Sequence, residues 1–221
     1  MKNSDSCVLR KRGWLSRTSS EFQDAVLERC DLLKLGRGTP VYLAGDDTGG
    51  VFGIVDGLVE LHLPAPGGSA TLAHIGRPGA WFGDLAALRG HPRRFSLVTR
   101  TNARLLRLSR SELQRLCDDV PGRWRYVADL VADNLSIAID VVEALRRRDV
   151  VERTALNLLA VADDTGDLSV TQTDLAELAC LSRGTINGAL AALEERGLVK
   201  RHYREVEIRS LDGLARLVGK A

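Results

Sequence analysis

No two of the four cysteines, Cys7, Cys30, Cys117 and Cys180, stand at CxxC spacing. That argues against a disulfide framework and against a zinc knuckle, and most of them read as small packed side chains. No apolar run approaches the ~18 residues of a membrane span. The basic N-terminus, MKNSDSCVLRKRGWLSR, lacks the apolar stretch of a secretory signal, so the sequence predicts a cytoplasmic protein with no membrane partner. Neither sign of charge is in excess: 31 Lys and Arg against 29 Asp and Glu leave +2, so any basic surface must be local. Catalytic spacing is missing as well. There is no Ser/His/Asp or Cys/His arrangement and no metal cluster, and GDLAAL is not followed by the Gly-Lys-Ser/Thr of a phosphate loop. Asp46-Asp47 reads as a turn pair that satisfies backbone amides. The expectation is a protein that is not an enzyme.

Proline is absent after Pro121, and that absence divides the chain. Of 21 glycines, 13 lie between Gly36 and Gly90, and five of the six prolines lie between Pro40 and Pro92. Dense punctuation between short apolar stretches predicts many turns and short strands. The candidates are 41–44, 51–55, 58–63, 70–75, 80–82, 95–101 and 104–109, with PAPGGSA as a hairpin tip. They predict an antiparallel roll of the double-sheet, jelly-roll type. Ser111 reads as the cap of a short helix to about Cys117. The fold class is α+β: a β-roll over 1–119, a long dimerisation helix over 120–148, and a winged helix-turn-helix over 149–221.

In the long helix, Val127, Val131, Asn134, Ala138, Val141 and Leu145 recur at coiled-coil spacing. Leu130, Leu135, Ile137, Ile139 and Val142 make a second apolar face. One face is expected to meet the roll and the other a second subunit. The Val127 series is assigned to the subunit seam, where Asn134 would fix register and a two-chain state.

Further on, Thr171-Gln172-Thr173-Asp174 has capping-box form, and Leu175, Ala176, Leu178 and Ala179 continue a helix. A three-residue turn, Cys180-Leu181-Ser182, leads to a second helix capped by Ser182. Ile186, Ala189, Leu190 and Leu193 form its buried face, and Arg183, Gly184, Asn187, Gly188 and Ala191 lie opposite. Leu198-Val199 and the alternating Val206 to Arg209 predict a two-stranded wing rich in Lys200, Arg201, His202 and Arg204.

LSRGTINGALAALEERGLV resembles the winged helix-turn-helix of the Crp–Fnr transcription regulators. RPGAWFGDLAALRGHPRRF resembles the ligand cassette of their cyclic-nucleotide-binding roll, a PG-x-x-FGE stretch followed by an Arg-Ser pair. Gly38, Gly45-Asp46 and Gly57 match earlier roll turns, and the resemblance runs from about residue 20 to 210. It implies an effector-gated homodimer on a palindromic operator in double-stranded DNA, with RNA polymerase as a further partner. Members of the family present an Arg-Glu pair and a second arginine four residues after the glutamate. Here Arg183 is kept and would read guanine, Asn187 would read adenine, and Gly184 and Gly188 replace the other two readers, so the operator should differ. Thr171, Gln172, Ser182 and Thr185 at the two helix N-termini, with Lys200 and Arg201 in the wing, are the expected phosphate contacts.

The effector is less legible. In members that bind cyclic AMP, the cassette glycine and glutamate hold the ribose, the arginine pairs with the phosphate and the next serine donates to it. By that resemblance the candidate residues are Gly83, Asp84, Leu85, Arg94 and Phe95, with Asp84 one methylene short and Phe95 in the serine position. Ser96 would point to the other face, and Ala138 and Ile139 stand where purine contacts are expected. These departures argue against cyclic AMP, because unpaired polar groups are costly to bury. An iron–sulfur cluster would need more, closer cysteines than Cys7 and Cys30. Among His62, His74 and His91, His91 is retained as the axial ligand haem would require. The effector is an unidentified small molecule. A small-molecule-binding module whose helical tail contacts protein in place of DNA is the alternative function.

Overall fold

The computed structural model describes residues 7–163, 166, 168, 170–202 and 205–220. They form two compact units: one up to Ala70 together with Ile75–Ser136, the other Thr71–His74 together with Ile137 onward. Arg204 of the expected wing lies outside the described residues. Among the described residues no helix is long and apolar enough to cross a membrane.

The first unit begins with α1 (Cys7–Lys11), a 3₁₀ turn (Leu15–Arg17) and α2 (Ser20–Arg29), which Ser19 caps by accepting from the Phe22 N–H. The roll follows as β1 (Asp31–Leu35), β2 (Pro40–Tyr42), β3 (Val51–Asp56), β4 (Val59–Pro64), β5 (Ala70–Gly76) and β6 (Trp81–Phe82), then α3 (Asp84–Arg89), β7 (Ser96–Thr99) and β8 (Ala103–Leu108). One sheet has the order β1-β8-β3-β6 and the other β2-β7-β4-β5. The antiparallel double-sheet roll expected from the punctuation is present, with β1, α1, α2 and α3 added to it. DLLKL in β1 escaped the strand pattern because no turn residue precedes it. The helix after the roll, α4 (Arg110–Asp119), is capped by Ser109 and not by Ser111: the Ser109 Oγ accepts from the Glu112 N–H at 3.2 Å, and β8 ends at Leu108.

β3 is buried from Val51 to Val55 because both of its faces are covered. Phe52 and Ile54 point between the sheets with Tyr42, Phe82, Leu97 and Leu105. Val51 and Val55 alternate to the other side and join a core of Trp14, Phe22, Trp81, Leu116 and Leu130. Gly53 on that side is needed by Trp81, since a Cβ there would stand 2.5 Å from the indole. Each of these fully buried side chains stabilises the unit by about 1.5–3 kcal/mol.

The long helix, α5 (Trp124–Arg146), follows a 3₁₀ turn at Pro121–Arg123, and the boundary between the two units falls within it. Its first half is fastened to the roll. Val127 and Leu130 are buried in the core, and the Asn134 Nδ2 donates to the Trp81 carbonyl at 3.1 Å and to the Asp84 carboxylate at 2.7 Å. This corrects the expected subunit seam. Val127 and Asn134 face the roll because a buried carboxylate at Asp84 requires a donor there.

The second unit contains α6 (Val150–Val161), α7 (Gln172–Leu178), α8 (Arg183–Glu195), the wing strands β9 (Val199–Arg201) and β10 (Val206–Ile208), and α9 (Leu211–Val218). Asp149 caps α6 through the Val151 and Glu152 amides. Leu72 at the centre of β5 donates its N–H to the Glu177 Oε1 at 2.7 Å within this unit.

Burial holds the Asp84 carboxyl above its ordinary 3.8, against the opposing hydrogen bond from Asn134. A folded pKa above the unfolded one means the folded state binds the proton more tightly. The stability this contributes is complete below the ordinary value and lost as pH rises through the folded value. Denaturant melts of wild type and Asp84→Asn from about pH 3 to about pH 7 should show the variant gaining relative stability as pH rises from near the ordinary carboxylate value. A difference that stays flat across that range would contradict it.

Candidate nucleic-acid interface and effector cleft

The helix pair α7–α8 is set by its caps. The Thr171 Oγ1 accepts from the Asp174 N–H at 3.2 Å, and the Asp174 carboxylate accepts from the Thr171 N–H at 2.6 Å, closing the expected capping box. Cys180 turns the chain with φ 51°, a left-handed conformation uncommon for a residue with a side chain. The Ser182 Oγ then accepts from the Thr185 N–H at 3.1 Å, and the two hydroxyls lie 2.8 Å apart. Ile186, Ala189, Leu190 and Leu193 are buried beneath α8, whereas Arg183, Gly184, Asn187 and Gly188 are all exposed on it.

The two glycines are not there to relieve crowding. A Cβ at Gly184 would meet only the Ser182 Oγ at 3.8 Å, and at Gly188 it would meet nothing within 4 Å. Each glycine costs about 1 kcal/mol of helix stability relative to alanine, with no internal packing in return. Internal packing therefore gives no reason for either glycine on the exposed side of α8.

The wing pairs Val206 with Arg201 and Glu207 with Lys200. Arg201 is engaged: its Nε and N–H both donate to the Glu194 carboxylate, at 2.7 and 2.8 Å, leaving Lys200 as the exposed cation beside it. Arg201 thus braces the wing on the end of α8, a role the sequence did not reveal. Thr171 is exposed and Gln172 half-buried at the start of α7.

In the roll, Gly83, Leu85, Arg94 and Phe95 line one cleft, and Tyr42, Ala86 and Arg93 complete it. Asp84 does not join them, because its carboxylate is taken by Asn134. Nor is Arg94 the seated arginine. Arg94 is exposed, whereas Arg93 is 4% exposed, its Nη1 donating to the Gly83 carbonyl at 2.9 Å and its Nη2 to the Gly50 carbonyl at 2.7 Å. Its guanidinium stacks on Tyr42, 4.2 Å from the ring centroid. Burial raises the Tyr42 hydroxyl well above its usual pKa, with Arg93 opposing. Gly83 has φ 103°, and a Cβ there would stand 2.6 Å from the Gly50 carbonyl, so only glycine admits this guanidinium. The Ser96 hydroxyl is turned away and accepts from the Ala44 N–H at 3.0 Å.

The cleft is nearly closed, with a volume of about 10 Å³. A nucleotide would find the guanidinium already bonded to two carbonyls and the carboxylate already bonded to an amide, so this arrangement does not fit a cyclic nucleotide. His91 is exposed, and no metal-holding cluster of His, Cys, Asp and Glu occurs among the described residues.

On α5, Val131 and Val141 are half-buried, and Ala138 and Leu145 are exposed. The open seam is one residue out of phase with the expected one. Ala128, Ala132, Leu135, Ile139 and Val142 recur at the same coiled-coil spacing and are all exposed, Leu135 and Ile139 at 58% and Val142 at 54%. The signal that would have found them was the second apolar phase of the helix.

Comparison with known proteins agrees with this geometry. Residues 32–120 match the family model of the cyclic nucleotide-binding domain, and residues 152–217 that of the Crp-like helix-turn-helix domain. The chain is 30% identical over 218 residues to the CRP-like cAMP-activated global transcriptional regulator of Mycobacterium tuberculosis, covering 95% of this chain and 97% of that one. It is 31% identical over 176 residues to the cyclic AMP receptor protein of Thermus thermophilus, covering 78% and 81%. The structure of FixK2 from Bradyrhizobium japonicum shares the fold, with TM-score 0.74 at 20% identity over 85% of this chain and 96% of that one. With a cyclic-nucleotide-binding-type roll, a Crp-like helix-turn-helix and a full-length relative that regulates transcription, the chain belongs to the Crp–Fnr family of transcription regulators.

Proposed function

We propose that this regulator acts in the cytoplasm as a homodimer on a two-fold operator, with α8 of each subunit in the major groove, and that its roll responds to something other than cyclic AMP. The observation that carries the reading is the exposed side of α8, where Gly184 and Gly188 stand open between Arg183 and Asn187. A helix side without bulk allows close backbone approach to base edges, and Arg183 at its first turn is placed to bond guanine O6 and N7. The Ser182 and Thr171 caps sit at helix N-termini, where the dipole favours phosphate oxygens.

Dimerisation supplies the second head. Three large apolar side chains more than half exposed along one helix face are best explained by a partner helix. Two half-sites one helical turn apart require two linked heads. The roll argument rests on the Arg93 Nη1 and Nη2 and the Asp84 Oδ1, which are engaged within the chain.

Arg183→Ala should lose about 1–3 kcal/mol of preference for the selected site over random duplex, with nonspecific binding retained. Lys200→Ala should weaken all duplexes alike and flatten the salt dependence by about one unit of slope. Fluorescence anisotropy against salt on both duplexes separates the two, and identical behaviour would remove Arg183 as a reader.

Leu135→Asp with Ile139→Asp should sediment as a monomer and bind the operator far more weakly, whereas a variant pair that stays dimeric places the interface elsewhere. Calorimetry with cyclic AMP and with cyclic GMP should show no binding in the micromolar range. A clear micromolar isotherm with either nucleotide overturns the argument from Arg93 and Asp84.

A further inference from the structure

A cavity of about 370 Å³ lies wholly within the second compact unit. Its walls include Ile137 and Val141 from α5, Leu156 and Ala160 from α6, Leu178 from α7 and Ala215 from α9. Protein interiors pack to crystal-like density and leave few voids larger than a water. This cavity is instead in the range of small-molecule sites, about 300–1,000 Å³.

Its few polar groups define what it would take. Lys220 and Asp140 on the lining form an ion pair at 2.7 Å, and Glu143 approaches the same ammonium at 3.3 Å. The ammonium is answered by carboxylates, so the rim offers an anion no unmatched cation. His74 of β5 also stands on the lining. Within the apolar wall, Asn157 is 8% exposed, and its Nδ2 donates to the Arg153 carbonyl at 2.9 Å. That bond fixes the amide and makes its Oδ1 the group suited to accept from a ligand.

We infer that this cavity binds a small neutral molecule with an apolar ring body and one hydrogen-bond donor directed at the Asn157 Oδ1. An occupant there packs against the inner side of α5, beneath the outward Ile139 and Val142. It also touches α7, the helix that supports α8. A ligand shifts DNA affinity only by its preference for the DNA-competent form. That coupling, but not the binding itself, rests on the regulator reading above.

Indole, a neutral ring with one N–H donor, is the probe, titrated calorimetrically into the full-length protein. A saturable isotherm with one site per chain is expected. Ala160→Phe and Ala215→Phe each fill the space from a different helix and should weaken indole about tenfold or more, with circular dichroism reporting the fold. Asn157→Leu should weaken indole but not naphthalene, which has the ring body and no donor. Failure of indole to saturate, or undiminished binding in whichever filled variants fold, overturns the inference. So does equal loss of indole and naphthalene in Asn157→Leu. Duplex binding by the same preparation without indole tests the regulator reading separately, so the two can fail independently.

Discussion

The peptide Gly83–Asp84 at the head of α3 faces two ways, and much of the first unit is organised by that division. The Gly83 carbonyl accepts from Arg93, and one residue later the Asp84 carboxylate accepts from Asn134 on the long helix. Asn134 also holds the Trp81 carbonyl, and Arg93 also holds that of Gly50. A carboxylate and a guanidinium out of water are costly unless they are hydrogen-bonded, and these four bonds supply the partners. The rotation of α5 about its own axis follows from this contact. With Val127, Leu130 and Asn134 turned to the roll, Leu135 in the same half of the helix is left exposed.

The same network bears on what the roll can sense. The M. tuberculosis and T. thermophilus relatives are named for cyclic AMP, and the chain keeps the cassette glycine and an acidic neighbour. Yet the acid is spent on the long helix and the buried arginine on backbone carbonyls. These bonds tie together the start of α3, the turn before β3, β6 and α5. A family fold can be kept while the groups within its pocket are redirected to the chain itself.

In the second unit the logic runs in reverse. Gly184 and Gly188 contribute nothing to packing, and an alanine at either would fit. Helix stability has been given up on the side that faces outward, and packing within the fold does not account for it. Arg201 illustrates the opposite case: a wing cation that sequence alone groups with Lys200 is occupied by Glu194 and holds the wing to α8.

What the sequence determined by itself is what depends on local chemistry. Glycine and proline between residues 36 and 92 marked the roll, Thr171–Asp174 and Ser182 marked the two helix starts, and the coiled-coil spacing on α5 marked two apolar stripes. Each of these is a property of a few adjacent residues or of one element's period. What tertiary structure decided was phase. Two apolar stripes one residue apart on α5 have the same period, and only the bond from Asn134 to Asp84 shows which meets the roll. Arg93 and Arg94 are adjacent and chemically identical, and only the fit of one guanidinium between the Gly50 and Gly83 carbonyls shows which is buried. Period is written along the chain, but phase is set by a contact with residues some fifty positions away, as Asn134 and Asp84 are.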